Sequence, residues 1–527
     1  MSLFSFFKKE SSIVVLLIVF ALLYFHFTLP KYSPTSQNNE FAWDILSYYL
    51  YLPLSLIHGD IGINDPNYIQ HIFNQYHFSP AFYQAAQAPN GNWVMIYTSG
   101  MAILYSPFFL IAHIWASSAG YPADGFSYPY QFCISSGMMI YSIIGILFFR
   151  KILLRFFNER ITVFVMVIIL IGTNFFREAT DYTLGPHAVL FSFYCVLIYY
   201  TIKWHENQKK RYAAIIGFSI GFLTLIRPTE AICIFIPIFW NVYNQESFKE
   251  KFSLLKKNRT HFFTLIFSAV LVGIPQMMYW KHQTGSFLYN SYWNQNSFDI
   301  SESHLTKILF SIRKGWFIYT PLIILSIIGF FYLKKEKFNA VRFPVYIFIA
   351  FNIFILSHVP VWFNAGSFGQ RFMVQSYAIL AIPLGAFLEY FSFRSLLSKF
   401  VLAIGCALLV ALNVFQTWQM TWWILPGDGI TWAYYKQAFL KTDNVTKEEQ
   451  NLLDLQRTND PNEKFDTKNP DYRKHLVAFY TMDNFNTSEL DSRRKDFAHS
   501  FTGKASYKID SLSPYCKFRI NRPQYFA

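Results

Sequence analysis

The 527-residue sequence predicts an all-α polytopic membrane protein with about 11 transmembrane helices. It also predicts a large first extracytoplasmic loop carrying interfacial helices, and a small C-terminal extracytoplasmic domain. Three observations lead there. The chain is 53% hydrophobic but only 14% charged, against roughly 25% in soluble domains, so it cannot cover several soluble domains with polar surface. Apolar runs of membrane-crossing length recur along most of the chain. Basic residues fall in short blocks between those runs. The formal charge of +14 is therefore a topology signal, and no nucleic-acid partner is expected.

The first span is Ser12–Phe27, preceded by Lys8 and Lys9 and followed by no small-x-small cleavage site, which reads as an uncleaved helix. Further runs lie at 131–149, 161–176, 187–202, 212–226, 231–243, 262–280, 316–333, 341–357, 373–391 and 397–415. Every even-numbered exit carries Lys or Arg, from Arg150, Lys151, Arg155 and Arg160 to Arg394 and Lys399. That pattern places the N-terminus in the cytoplasm and the C-terminus outside. The register requires that Thr98–Trp115 lie on the outer face as an interfacial or re-entrant helix, broken near Pro107. The five cysteines show no metal or redox spacing.

The outer loop 30–130 holds one basic residue, Lys31, and five acids including Asp44. Long ordered loops tend to carry function. Within it Trp43–Pro53 reads as an amphipathic helix on the membrane surface, with Asp44, Tyr48 and Tyr51 on one face. A carboxylate beside two rings can position a sugar and take a proton from a hydroxyl, or Asp44 can simply cap its helix. The shorter outer loops carry isolated charges at membrane boundaries: Arg177, Glu178, Asp181 and His187, then Arg227, then His358 and Arg371. Arginines on the outside run against the orientation bias. They suit an anionic ligand, or else snorkelling or pairing with an acid such as Glu230. His187 and His358 read as hydrogen-bonding groups rather than metal ligands.

These pieces together resemble the GT-C superfamily of integral-membrane glycosyltransferases, of the protein mannosyltransferase and aminoarabinose transferase type. The matching segments run from Asp44 through Tyr97-Thr98-Ser99-Gly100 and Pro107-Phe108-Phe109 to Leu225-Ile226-Arg227-Pro228. Arg313-Lys314-Gly315-Trp316 and Gly366-Ser367-Phe368-Gly369-Gln370-Arg371 complete them, over about residues 1–420. The resemblance implies inverting transfer of a hexosyl or pentosyl group from a polyprenyl-phosphate sugar to a glycan, lipid or protein hydroxyl at the outer face. Asp44 would be the general base and Asp181 the second acidic position. Arg227 and Arg371 would hold the lipid phosphate. Tyr48, Tyr51, Glu178, His187 and His358 are the remaining candidate substrate contacts. Asp44 is followed by Ile45 where protein mannosyltransferases often show an Asp-Glu pair, so no metal ligand set is assigned, and a divalent metal stays open as a cofactor.

Residues 421–527 form the expected extracytoplasmic C-terminal domain, an α+β or β module that reads as incomplete. Lys447–Gln450 looks helical and Ala505–Ile509 strand-like. The localisation expected is a bacterial inner membrane. The alternative reading is a transporter or flippase of a lipid-linked or anionic substrate. It is disfavoured by the lack of an internal repeat and by charges at span ends rather than at mid-span.

Overall fold

The computed structural model describes residues 9–29, 39–79, 82–292, 300–364 and 366–454, and two short strands, Lys495–Asp496 and Ser506–Tyr507. The fold is helical throughout. In chain order the helices used below are α1 (Glu10–Thr28), α2 (Asp44–Tyr49), α3 (Pro66–Tyr76), α4 (Gly100–Ala119), α5 (Tyr128–Phe156) and α6 (Glu159–Leu170). They continue with α7 (Pro186–Glu206), α8 (Lys210–Ile226), α9 (Arg259–Thr284), α10 (Asn339–Ser357), α11 (Tyr377–Phe391) and α12 (Leu396–Thr421). Every apolar run picked out in the sequence is helical in whole or in part.

Among the described residues, seven helices are long and apolar enough to cross a membrane. The protein is an integral membrane protein. The expected count of about 11 is not reached by length alone, since α6 has 12 residues and a helix rises only about 1.5 Å per residue. Pro228–Phe239 and Ile323–Lys334 are likewise short. Helices α9 and α12 expose Phe263, Phe267, Phe400 and Leu408, the surface lipid would cover. Helix α11 is instead buried from Tyr377 to Leu388, enclosed by α6, α7 and Ile323–Gly329.

Helix α4 departs from expectation. It is one continuous helix of 20 residues through Pro107, not a broken one. Proline removes the N–H that would bond the Ile103 carbonyl, and the Ser106 hydroxyl donates to that carbonyl instead at 2.8 Å. The helix lies along the first part of α5 only: His113 meets Tyr130, Phe108 sits over Gly137, and Tyr141 donates to the Leu104 carbonyl. Its N-terminus abuts Leu225 and Ile226 at the end of α8, where a side chain on Gly100 would clash with the Ile226 backbone.

The first loop folds into a compact unit. Strands β1 (Ala85–Gln87) and β2 (Trp93–Met95) pair antiparallel, with Gly91 at positive φ in the turn. The hairpin is fastened to the end of α9, where Asn90 and Asn92 donate to the Gln283 carbonyl and Tyr279 accepts from the Met95 amide. Helix α2 is not a membrane-surface helix: Ile45 to Leu54 are all buried. The Ser47 hydroxyl donates to Gln84 on the hairpin, and Tyr49 stacks on Phe41. Asp44 therefore sits on a rigid support.

Residues 422–454 return to the bundle. Ile424, Leu425 and Tyr434 pack with Ile312, Tyr319 and Phe368 in a small second core. Lys447–Gln450 is helical, with Thr446 and Glu449 forming a capping box. The remainder of the expected C-terminal module lies outside the described residues, apart from the two strands noted, which pair antiparallel with each other.

Helices α8 and α9 pack backbone to backbone through Gly217, whose added Cβ would lie 2.0 Å from the Leu265 carbonyl oxygen. Gly217→Val should cost about 1–3 kcal/mol of overpacking and lower the Tm in detergent. Gly273→Ala in α9 meets nothing within 4 Å and should leave the Tm unchanged or raised.

Candidate active site

Four links between helices converge at one end of the bundle. Asp44 opens α2 directly after Trp43, whose φ of 60° is rare for a residue with a side chain. The Asp44 side chain does not cap its helix. One carboxylate oxygen accepts from the Tyr83 hydroxyl at 3.0 Å, and the other from the Arg371 guanidinium at 3.1 Å. Arg371 is nearly buried, whereas Asp44 keeps 29% of its side chain exposed, which leaves the carboxylate reachable. Burial, and then the Asp44 charge, push the Tyr83 hydroxyl well up, so it stays a proton donor.

Arg371 begins the turn leading into α11, and Phe372 follows it. The Phe372 ring lies 3.8 Å from the Arg227 guanidinium carbon and 5.6 Å from that of Arg371. The two guanidinium carbons are thus at most 9.4 Å apart. His187 packs on the same ring. Three buried nitrogens here lack a hydrogen-bond partner: Arg227 Nη1, Arg371 Nε and His187 Nδ1. Such groups are costly unless a ligand satisfies them. Arg227 is not ion-paired with Glu230; that carboxylate accepts instead from Tyr194 and Gln375, each at 2.7 Å.

The third link, between α6 and α7, supplies Arg177, Glu178 and Asp181. Arg177 approaches Asp181 at 3.3 Å and Glu178 at 3.5 Å, neither with hydrogen-bond alignment. Burial raises the Glu178 carboxyl to about 7, against the pull of Arg177 and Arg371. Lys314, on the link before Trp316, is buried and donates to the carbonyls of Ser367 and Gly427; burial lowers its ammonium to about 7. Its neighbour Arg313 pairs with Asp428 at 2.7 Å, tying residues 422–454 to this end of the bundle.

Of the candidate residues, Asp44, Glu178, Asp181, His187, Arg227 and Arg371 lie on the links, or at the helix starts beside them, that converge here. Tyr48 is buried and stacked on Tyr97, within electrostatic reach of Asp44 and Arg227. Tyr51 stands behind it, donating to the Tyr97 carbonyl. His358 is engaged elsewhere, by the Phe354 carbonyl and Ser357, and faces His304. Tyr83 and Phe372 are site residues that the sequence reading missed, and Tyr97 lies within a matching segment without having been singled out. Among the described residues no three His, Cys, Asp or Glu side chains are grouped to hold a metal ion.

Residues 130–278 match the family described as dolichyl-phosphate-mannose-protein mannosyltransferase. That family is one of the GT-C mannosyltransferases, and the match covers less than a third of the chain. The segment runs from α5 to α9 and includes Arg177, Glu178, Asp181, His187 and Arg227. No curated protein sequence matches the chain. Two solved structures are similar at 14% identity, both of an oligosaccharyltransferase from Archaeoglobus fulgidus. One is the archaeal oligosaccharyltransferase AglB with an inhibitory peptide and a dolichol-phosphate, with TM-score 0.42, covering 83% of this chain and 58% of that one. The other is the apo form, with TM-score 0.43, covering 86% and 60%. The chain thus spans less than two thirds of either.

The raised Glu178 pKa carries a pH prediction. Between pH 4.5 and 7 the native state holds a proton at Glu178 that the unfolded state has lost, so its contribution to stability falls as pH rises through that window. Relative to wild type, Glu178→Gln should therefore gain Tm steadily from pH 5 to pH 7.5. A pH-independent difference between the two proteins would refute the assignment.

Proposed function

We propose that the chain is a membrane glycosyltransferase that moves one hexosyl or pentosyl unit from a polyprenyl-phosphate donor to an acceptor hydroxyl, with inversion. The observation that carries this reading is the juxtaposition of an accessible carboxylate with two arginines whose buried N–H groups lack partners. The acceptor oxygen attacks the anomeric carbon, the bond from that carbon to the phosphate oxygen breaks, and Asp44 takes the acceptor proton. Arg227 and Arg371 hold the phosphate and offset the charge it gains on leaving. Asp181 and Glu178 orient donor or acceptor, and Tyr48 with Tyr97 walls the sugar.

The resting Asp44–Arg371 pair adds an order of events. In the resting site the Arg371 guanidinium occupies one Asp44 oxygen. A donor phosphate competes for Arg371 and loosens the pair, so that oxygen becomes open to the acceptor hydroxyl only once the donor is in place. Residues 1–420 form the transferase module and 421–527 an extracytoplasmic domain. The protein would sit in a bacterial inner membrane, with its N-terminus in the cytoplasm and the site facing outward. There the lipid tail stays in the bilayer and the acceptor arrives from water.

Asp44→Asn keeps shape and loses the base. Its transfer rate should fall by roughly 10²–10⁴-fold with donor binding retained, measured with radiolabelled polyprenyl-phosphate sugars. Turnover like wild type removes Asp44 from the mechanism. Arg227→Ala removes one charged hydrogen-bond donor and should weaken donor binding about 10–100-fold, read as lost thermal stabilisation by the donor. Unchanged donor affinity would show that the phosphate binds elsewhere.

A further inference from the structure

The end of the bundle remote from Asp44 carries a second constellation that the transfer reaction does not use. Helix α7 runs from His187 at the candidate site to Lys203, sixteen residues or about 24 Å along its axis. There, between the end of α7 and the start of α8, a cavity of about 350 Å³ is lined by Tyr199, Tyr200, Lys203, Arg211, Tyr212 and Ile215. Lys203 lies 6.0 Å from the Tyr199 ring. Lys151, from α5, lies 4.7 Å from Phe148 and 5.7 Å from Tyr199. Arg211 caps the opposite wall, 5.2 Å from the Tyr212 ring. One carboxylate faces this group: Glu206, shared by Lys203 and Arg155, each at 3.0 Å. Lys203 and Arg211 line the cavity, with Lys151 and Arg155 beside it, and against the single carboxylate of Glu206 they leave it net positive.

A second, apolar groove of about 240 Å³ adjoins it, lined by Ala214, Ile215, Phe218, Ser268 and Leu271. Ile215 lines both. The groove runs between α8 and α9 toward the middle of the bundle, and Phe218 and Leu271 face outward on a surface that lipid would cover. A positive, tyrosine-lined cavity opening into an apolar groove matches an amphiphile with an anionic head and an aliphatic tail.

We infer that this is a binding site for one anionic glycerophospholipid. Its phosphate would sit among Lys151, Lys203, Arg211 and the tyrosine hydroxyls, and one acyl chain would lie in the α8–α9 groove. Tyrosine hydroxyls and ammonium or guanidinium groups satisfy phosphate oxygens by charge-assisted hydrogen bonds. The pull of basic clusters on anionic lipid heads works in the same direction.

The test is native mass spectrometry of the full chain released from micelles doped with phosphatidylglycerol, phosphatidylcholine or a sugar-free polyprenyl phosphate. Phosphatidylglycerol should be retained at least tenfold more than phosphatidylcholine. Lys203→Gln with Arg211→Gln should erase that preference at unchanged Tm. Ala214→Phe, which fills the groove and leaves the cations, should reduce retention of the lipid but not of soluble glycerophosphate, and it keeps the test open if the double variant fails to fold. Equal retention of the two phospholipids, or undiminished selectivity in the double variant, overturns the site. Displacement of phosphatidylglycerol by the polyprenyl phosphate overturns the choice of occupant.

Discussion

The ion pair between Asp44 and Arg371 joins residues 327 positions apart and closes the structure around its site. It requires the first loop to fold as a unit, because Asp44 is placed by α2, and α2 is placed by the hairpin through Ser47 and Gln84. It also requires the link before α11 to turn inward, carrying Arg371 and Phe372 away from lipid. Breaking a buried pair by removing one partner strands a charge and typically costs about 3–5 kcal/mol. Asp44 keeps some exposure, so its loss should sit below that range. The fold has thus made two segments 327 residues apart depend on each other at the point where chemistry is proposed.

The surrounding residues are arranged to keep this end of the bundle polar and only partly satisfied. Glu230 accepts from Tyr194 and Gln375 and makes no direct ion pair with Arg227, whose charge acts on it only at longer range. Arg227 instead stacks on Phe372, a contact that fixes the plane of the guanidinium while leaving an N–H free. Lys314 and Arg313 are spent on backbone carbonyls and on Asp428, so they brace the site rather than enter it. The division between used and unused donors is what distinguishes a binding cluster from a structural network of the same composition.

Much of this was legible in the sequence, for identifiable reasons. Arg227 and Arg371 stood out because they lie at outer span ends, flanked by Pro or Gly instead of a basic block. Asp44 stood out as an acid beside aromatics in a long loop. Pairing between them was not legible, since nothing local in either segment encodes a contact across 327 residues. The surface position expected for α2 fails because Tyr48 and Tyr51, which share a face with Asp44, are buried aromatic packing in the fold, and the segment is covered all round. The break expected at Pro107 failed because Ser106, one residue earlier, supplies the missing donor. His358 lies at a span boundary as Arg371 does, yet its ring turns back to its own helix carbonyl, a choice made by side-chain packing that residue type does not reveal.

The two arginines bear on why the site is built at a span end. Guanidiniums at most 9.4 Å apart repel each other, and the Phe372 ring that both approach lowers the local polarity that would screen that repulsion. Asp44 neutralises one of them, leaving a net positive charge beside a partly exposed carboxylate. The donor's phosphodiester monoanion entering between the arginines converts repulsion into two attractions at once, competes with Asp44 for Arg371, and gains its second charge only as the sugar departs. The same event that binds the donor therefore frees the base, and it can do so only where the lipid phosphate lies at the level of the headgroups. A cluster buried at mid-bundle could hold the charges but could not receive the lipid, whereas a cluster far out in the loop would lose the low-polarity surroundings that make the exchange worth several kcal/mol, of the order found for hydrogen bonds to charged groups.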